Sequence, residues 1–238
     1  MSSEETFDAV VFGPHPDDAE MGMAGTMIKM ARSGKRVLNI CLTRGERGTY
    51  GDTTIRRGEF EEANRLMGTV GRMLDFPDTA VTNDYEGKLE IARIIRRARP
   101  KVVFAPYHSN PFSHHDGAAN VDHYTTGELV RDGLKLARFK NVMPEIERHD
   151  VPFNYYYMVP KHLTPTMVVD VSDVMDGVVA AIEAYGTQMS IQKQENPILD
   201  TLNVLRRYSG LRIGKRFGEP FYVDESLAFE VEDFFGPA

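Results

Sequence analysis

The sequence has a single cysteine, Cys41, so no internal disulfide can form. A reducing cytoplasm is the simplest setting, and the place of Cys41 in the run Val37-Leu38-Asn39-Ile40-Cys41-Leu42 reads as a buried strand position. Positive charge is in deficit: 28 Lys and Arg stand against 35 Asp and Glu, a formal net charge of -7. A broad nucleic-acid or anionic-membrane surface needs clustered cations to neutralise phosphates, so neither partner is expected, although a local basic pocket is compatible with the count. No apolar run approaches the roughly 18 residues of a membrane span, and residues 1–6 lack the basic-then-apolar pattern of a secretory signal. The expectation is a soluble, unexported protein. There is also no Ser/Gly-rich linker and no internal repeat, and 238 residues of ordinary composition suit one compact domain spanning 1–238.

What is present is an alternation of short apolar runs with amphipathic stretches. Residues 7–12, 37–42 and 102–105 are apolar runs that read as buried strands, each ended by a turn or polar cluster. Residues 21–33, 54–67, 89–98 and 124–139 carry apolar side chains at helical spacing. Strands alternating with helices imply right-handed βαβ units, hence an α/β, Rossmann-like fold with a mostly parallel sheet flanked by helices. The last third changes character, with strands expected at 155–158 and 167–169 and helices at 174–184 and 203–210. It reads as a C-terminal extension of the same domain that covers the pocket.

Ligands of an open parallel sheet bind beyond the carboxyl ends of its strands. Three polar clusters fall there: His15-Pro16-Asp17-Asp18 after the first strand, Thr43 to Gly48 after the second, and a histidine-rich stretch after Ala105. His15 and Asp18, three residues apart across a tight turn, can bind one divalent metal ion while Asp17 points into the cleft as a free base. Such an ion lowers the pKa of water and polarises a carbonyl, the two needs of amide hydrolysis. The competing reading makes Asp17, Asp18 and Glu20 ordinary helix-capping acids.

Five blocks in order resemble the PIG-L/LmbE superfamily of zinc-dependent sugar N-deacetylases, nearest to the bacillithiol-biosynthesis deacetylases. They are Gly13-Pro14-His15-Pro16-Asp17-Asp18-Ala19-Glu20; Leu42-Thr43-Arg44-Gly45-Glu46 with Gly48-Thr49 and Ile55-Arg56; Arg99 to Pro106; Val169 to Val174; and Gly218-Glu219-Pro220-Phe221-Tyr222. The resemblance implies zinc bound by His15 and Asp18, Asp17 as the general base toward a zinc-bound water, and Arg56 facing the substrate. Read by itself, Arg56 is equally an exposed helix charge beside Arg57. The family closes its site with a His-Pro-Asp-His segment opening a helix. Here Asn120-Val121-Asp122-His123 keeps the Asp-His and replaces the first histidine.

His123 is therefore the expected third ligand, since the helix after it stays in register, with His115 as its rival. An insertion before the motif holds His108, His114 and His115. His114 or His115 is expected to supply the missing imidazole, and Asn120 a hydrogen bond to an oxyanion, against the alternative of a merely solvated loop. Asp170 is either a partner for a histidine or a strand-end cap, and Tyr155 to Tyr157 read as strand packing. The resemblance implies a homo-oligomer, commonly a hexamer in this family, acting on an N-acetylglucosaminide such as N-acetylglucosaminyl malate. His and carboxylate ligands also suit Fe2+ or Mn2+. Two other functions compete: a sugar- or nucleotide-binding module, and a metal amidase or esterase on a non-sugar. The first predicts a glycine-rich phosphate turn where the chain instead has Pro14 and Pro16, which lack N-H groups.

Overall fold

The computed structural model of the chain describes residues 5–110, 121–190 and 197–226. Its first strand, β1 (Ala9–Gly13), is buried along its whole length, as a continuous apolar run is at the centre of a parallel sheet. There follow α1 (Asp18–Arg32), β2 (Val37–Cys41), α2 (Thr53–Met67), β3 (Val70–Met73), α3 (Tyr85–Ala98), β4 (Val102–Pro106), α4 (Val121–Arg138) and β5 (Phe153–Tyr157). The five strands form one parallel sheet in the order β3-β2-β1-β4-β5. The α/β frame expected from the alternating runs is thus the observed one.

Residues of β1 point alternately to two cores, as the strand's period of two requires. Val10 and Phe12 join Ile91 and Ile95 of α3 and Leu129 and Val130 of α4. Ala9 and Val11 meet Met23 and Met27 of α1 and Val178 further along the chain on the opposite face. Helix ends are fixed locally: the Asp52 carboxylate accepts the N-H groups of Thr54 and Ile55 at the start of α2, and Asp84 accepts that of Gly87 in α3.

The remaining elements are β6 (Met167–Asp170), α5 (Met175–Glu183), α6 (Gly186–Met189), α7 (Ile198–Leu211) and β7 (Gly218–Phe221). Strands β6 and β7 pair antiparallel. Paired backbone bonds between Tyr156 and Tyr222 tie this ribbon to the main sheet, while α5 packs on α1 and α2. Thr187 of α6 donates its N-H and hydroxyl to Glu59 of α2. Among the described residues, no helix is long and apolar enough to cross a membrane.

The strand order reverses direction at β1, whose neighbours are β2 on one side and β4 on the other. Beyond the carboxyl ends of these two strands lies the crevice in which open α/β sheets bind ligands. The loops after β1, β2, β3 and β4 all deliver residues to it.

Candidate active and metal site

The chain leaves β1 through Pro14 and Pro16 and enters α1 at Asp17, whose φ of 121° is rare outside glycine. The two adjacent carboxylates have different partners. Asp18 Oδ2 accepts the backbone N-H of His15 at 2.9 Å and lies 3.0 Å from His15 Nδ1; its Oδ1 lies 3.0 Å from His123 Nε2, in the first turn of α4. Asp17 makes no capping bond to the helix, so the capping alternative fails for this residue. Its Oδ2 is 3.8 Å from Nη2 of Arg56.

His15 is held from behind as well. Its Nε2 lies 3.1 Å from Asp122 Oδ2 and 3.2 Å from Asp78 Oδ1. Both acids are anchored by backbone donors: Asp122 accepts the N-H of Thr79 at 2.7 Å and of Val81 at 3.3 Å, and Asp78 accepts that of Arg47 at 2.8 Å. Two carboxylates at Nε2 hold a ring proton there, while Nδ1 shares its own with Asp18 Oδ2 and would give that one up to a metal ion. Asp78 was not foreseen from the sequence, and Asp122 was seen only as part of a motif.

Burial alone would lower the His15 pKa, but the charge of Asp18 and hydrogen bonds with Asp122, Asp18 and Asp78 outweigh it and push the imidazole up to about 12. Burial would likewise raise Asp18, yet the two imidazoles, His123 first, hold its carboxyl well below the usual carboxylate range. Asp17 goes the other way: burial and the neighbouring Asp18 charge lift it well above that range, against the pull of Arg56 and His15. Burial also raises Glu20, to about 7; its Oε1 accepts the Asn39 amide at 2.8 Å.

His15, Asp18 and His123 each present a ligand atom within 4.8 Å of one another. Two observations bear on whether a metal fits. Asp17, Asp18, Asp78 and Asp122 are all buried here, an excess of negative charge that a divalent cation would offset. Two imidazoles and one carboxylate are also a donor set that catalytic zinc accepts. The residues fit a divalent metal.

Arg56 is buried, 3% exposed, and not the exposed charge that its neighbour Arg57 suggested. It donates to the Pro16 carbonyl at 2.6 Å. Gly48 allows the guanidinium this place, since a Cβ there would come within 2.8 Å of Nη1. Asp170 serves its own turn, accepting the Ser172 N-H and hydroxyl, and contacts no histidine in those bonds. Tyr156 and Tyr157 are buried strand residues, the Tyr157 hydroxyl donating to the Phe12 carbonyl. His108 leaves β4 stacked on Tyr107, with Asp224 and Arg131 at its two ring nitrogens. His114, His115 and Asn120 lie outside the described residues.

A family model described as "PIG-L: GlcNAc-PI de-N-acetylase" matches residues 10–134, a span that contains every ligand atom of the cluster. The chain belongs to this family. A diacetylchitobiose deacetylase of Thermococcus kodakarensis is 29% identical over 221 residues, covering 87% of this chain and 79% of that protein. A Bacillus anthracis protein named "Probable N-acetyl-alpha-D-glucosaminyl L-malate deacetylase 2" is 28% identical over 138 residues, 52% of this chain and 58% of that one. Among solved structures, a conserved protein of Thermus thermophilus has a TM-score of 0.84 at 30% identity, covering 95% of this chain and 98% of that one. The hydratase GalB of Pseudomonas putida has a TM-score of 0.80 at 20% identity, covering 93% and 98%. That last likeness is one of fold alone, and it makes plain that this PIG-L frame does not by itself choose a reaction.

Proposed function

We propose that the chain is a metal-dependent hydrolase that removes the acetyl group from an N-acetylated amino sugar. The observation that carries this reading is the pairing of a His15, Asp18 and His123 donor set with an adjacent buried carboxylate, Asp17, that shares neither imidazole. The deacetylase relatives support the reaction type and the N-acetylglucosaminide class, with N-acetylglucosaminyl malate as one candidate and the metal taken as zinc. Held by those three side chains, a divalent ion supplies Lewis acidity, drawing charge from a carbonyl oxygen and lowering the pKa of water.

The chain's own residues do the rest. Asp17 takes the proton of the attacking water and returns it to the nitrogen that leaves. A carboxyl held above its usual range is suited to both halves, because a base works best with a pKa near the working pH. Arg56 lies beside Asp17 and donates to the Pro16 carbonyl, holding the loop against the incoming sugar. Asp78 and Asp122 hold a proton on His15 Nε2, so that it is Nδ1 that would give up its proton and serve as the ligand. The test is acetate release from a panel of N-acetylglucosaminides, with and without chelator. Release that the chelator abolishes is expected; none from any member by metal-loaded protein refutes the deacetylase.

A further inference from the structure

Helix α1 is broken one turn after Asp18: Met23 has φ -152° and ψ 26°, outside helical values. A regular helix would bond the Gly25 N-H to the Met21 carbonyl. Here both groups of that bond are engaged by an ion pair from the C-terminal third. The Gly25 N-H donates to Glu219 Oε1 at 3.0 Å, and Arg206 Nη2 donates to the Met21 carbonyl at 2.9 Å. Arg206 Nε closes the circuit on Glu219 Oε1 at 3.0 Å. Glu219 Oε2 also takes the Thr26 N-H at 2.7 Å and its hydroxyl at 2.8 Å, and Arg206 reaches the Glu20 carbonyl at 3.2 Å.

Both charges are buried, Arg206 3% exposed and Glu219 fully enclosed. Gly25 admits them, since a Cβ there would come within 3.2 Å of Glu219 Oε1 and 2.7 Å of Val171. Side chains inserted in the ladder are a recognised cause of a helix kink. A buried ion pair is a poor source of net stability, because desolvation consumes most of the attraction. What this pair does achieve is geometric. The piece of α1 before the break carries Asp18 and follows Asp17, and its carbonyls are held from α7 and its successor N-H groups from β7.

We propose that Arg206 and Glu219 are positioning residues: spliced into α1, they set the angle of its first turn and thereby the approach of Asp17 and Asp18 to His15 and His123. This rests on the metal-hydrolase reading of the site. It makes the C-terminal third a working part of the centre, although none of its described residues belongs to the ligand cluster.

The experiment uses full-length protein carrying Glu219→Gln, Arg206→Lys or Thr26→Val, with Val178→Ala as a control that loosens the same layer without touching the pair. Two readouts are taken on each folded variant: zinc affinity by competition with a chromophoric chelator, and the His15 and His123 ring signals in long-range 1H-15N spectra. Glu219→Gln is expected to weaken zinc about 10-fold or more, the usual effect of disturbing a residue that orients a ligand. Arg206→Lys should be rescued in part, since lysine can pair with Glu219 but cannot fork to the carbonyls as well. Thr26→Val removes one hydroxyl bond, and a smaller loss is expected. Val178→Ala should lower Tm and leave zinc affinity and both ring signals unchanged. Wild-type affinity and unmoved ring signals in the folded pair variants overturn the proposal, leaving only a structural tether. If the wild-type protein binds no divalent ion, the hydrolase reading falls, and the ring signals still decide the positioning claim.

Discussion

Replacing Asp122 by asparagine tests the claim that His15 is a ligand because its proton is held on the far nitrogen. The change keeps shape and removes one acceptor. Asp122 Oδ2 serves the Thr79 N-H at 2.7 Å and His15 Nε2 at 3.1 Å, while Oδ1 serves the Val81 N-H at 3.3 Å. An asparagine has one oxygen for these places. If that oxygen keeps Thr79 and His15, the new NH2 faces the Val81 N-H, and a buried donor loses its acceptor at a cost of about 1–3 kcal/mol. The Val81 bond is the longest of the three, so the lower part of that range is expected, about 1–2 kcal/mol in metal-stripped protein. For a chain of this size that lowers Tm by roughly 2–4 °C per kcal/mol. If the amide flips, the NH2 faces His15 Nε2 and competes for it with Asp78, the one carboxylate left there, which favours the ring proton on Nδ1, the ligand side. In either case zinc affinity falls, by about 10- to 100-fold. Chelator competition on the folded variant measures it. Wild-type zinc affinity in folded Asp122→Asn would refute the reasoning for Asp122, and wild-type affinity in the Asp78→Asn, Asp122→Asn double variant would refute it for both acids at Nε2.

Three further outcomes follow from the same geometry. His123→Ala should leave less than one zinc per chain by elemental analysis; full stoichiometry would remove His123 from the ligand set. Asp17→Asn, whose side chain tolerates positive φ, should retain zinc and lose about 100- to 10,000-fold in kcat, the range of a lost general base. An unchanged kcat would dismiss Asp17 from that role. Glu20, raised from 4.5 to about 7 by burial, is an acid whose protonated form favours the fold. Its stabilising contribution is full below 4.5 and is lost as pH rises through about 7. Denaturant unfolding of metal-stripped protein should therefore weaken across that window, and less steeply in Glu20→Gln; identical slopes would show that Glu20 does not titrate there.

The frame was legible where strands are covered on both faces. Residues of β1, β2 and β4 are near-continuous apolar runs because a buried parallel strand has no solvent side. Strand β3 escaped notice for the opposite reason. Val70, Gly71 and Arg72 are exposed at the sheet edge, and the strand's contribution is close packing, with Gly71 letting Asn64 and Phe60 approach. β7 was hidden by Pro220, which is admissible in this two-stranded ribbon. Helix α3 begins at Tyr85, four residues ahead of the expected Leu89, because the signal lies in its cap, Asp84, and not in its apolar spacing.

The site divides along the same line. His15, Asp17 and Asp18 are adjacent in sequence, so their spacing is visible. Asp78 acts on a residue more than sixty positions away, and its only signal, an acid after a strand, required the strand β3 that was not seen. Arg206 lay within the stretch expected to be helical, 203–210, with nothing to single it out, and Glu219 was one letter of a motif. Contact across long sequence separation is what a single sequence does not display. Asp170 shows the converse: its place after a β-branched run left a histidine partner and a strand-end cap both open, and the turn at Ser172 took it.

The balance of charge explains why these distant residues matter. Four buried aspartates around one arginine and two imidazoles form a set that a fold would not assemble for its own stability. Burial and then the like charge of Asp18 raise Asp17, and the strained backbone at Asp17 adds a further cost. A site of this kind persists when its surroundings over-determine it. Backbone donors from Thr79, Val81 and Arg47 fix the two outer acids, and the Arg206–Glu219 splice fixes the turn that bears the inner two. The rigidity is therefore supplied by parts of the chain that carry no ligand. It follows that substitutions in α7 and β7 should be read first as perturbations of the site, and only then as losses of stability.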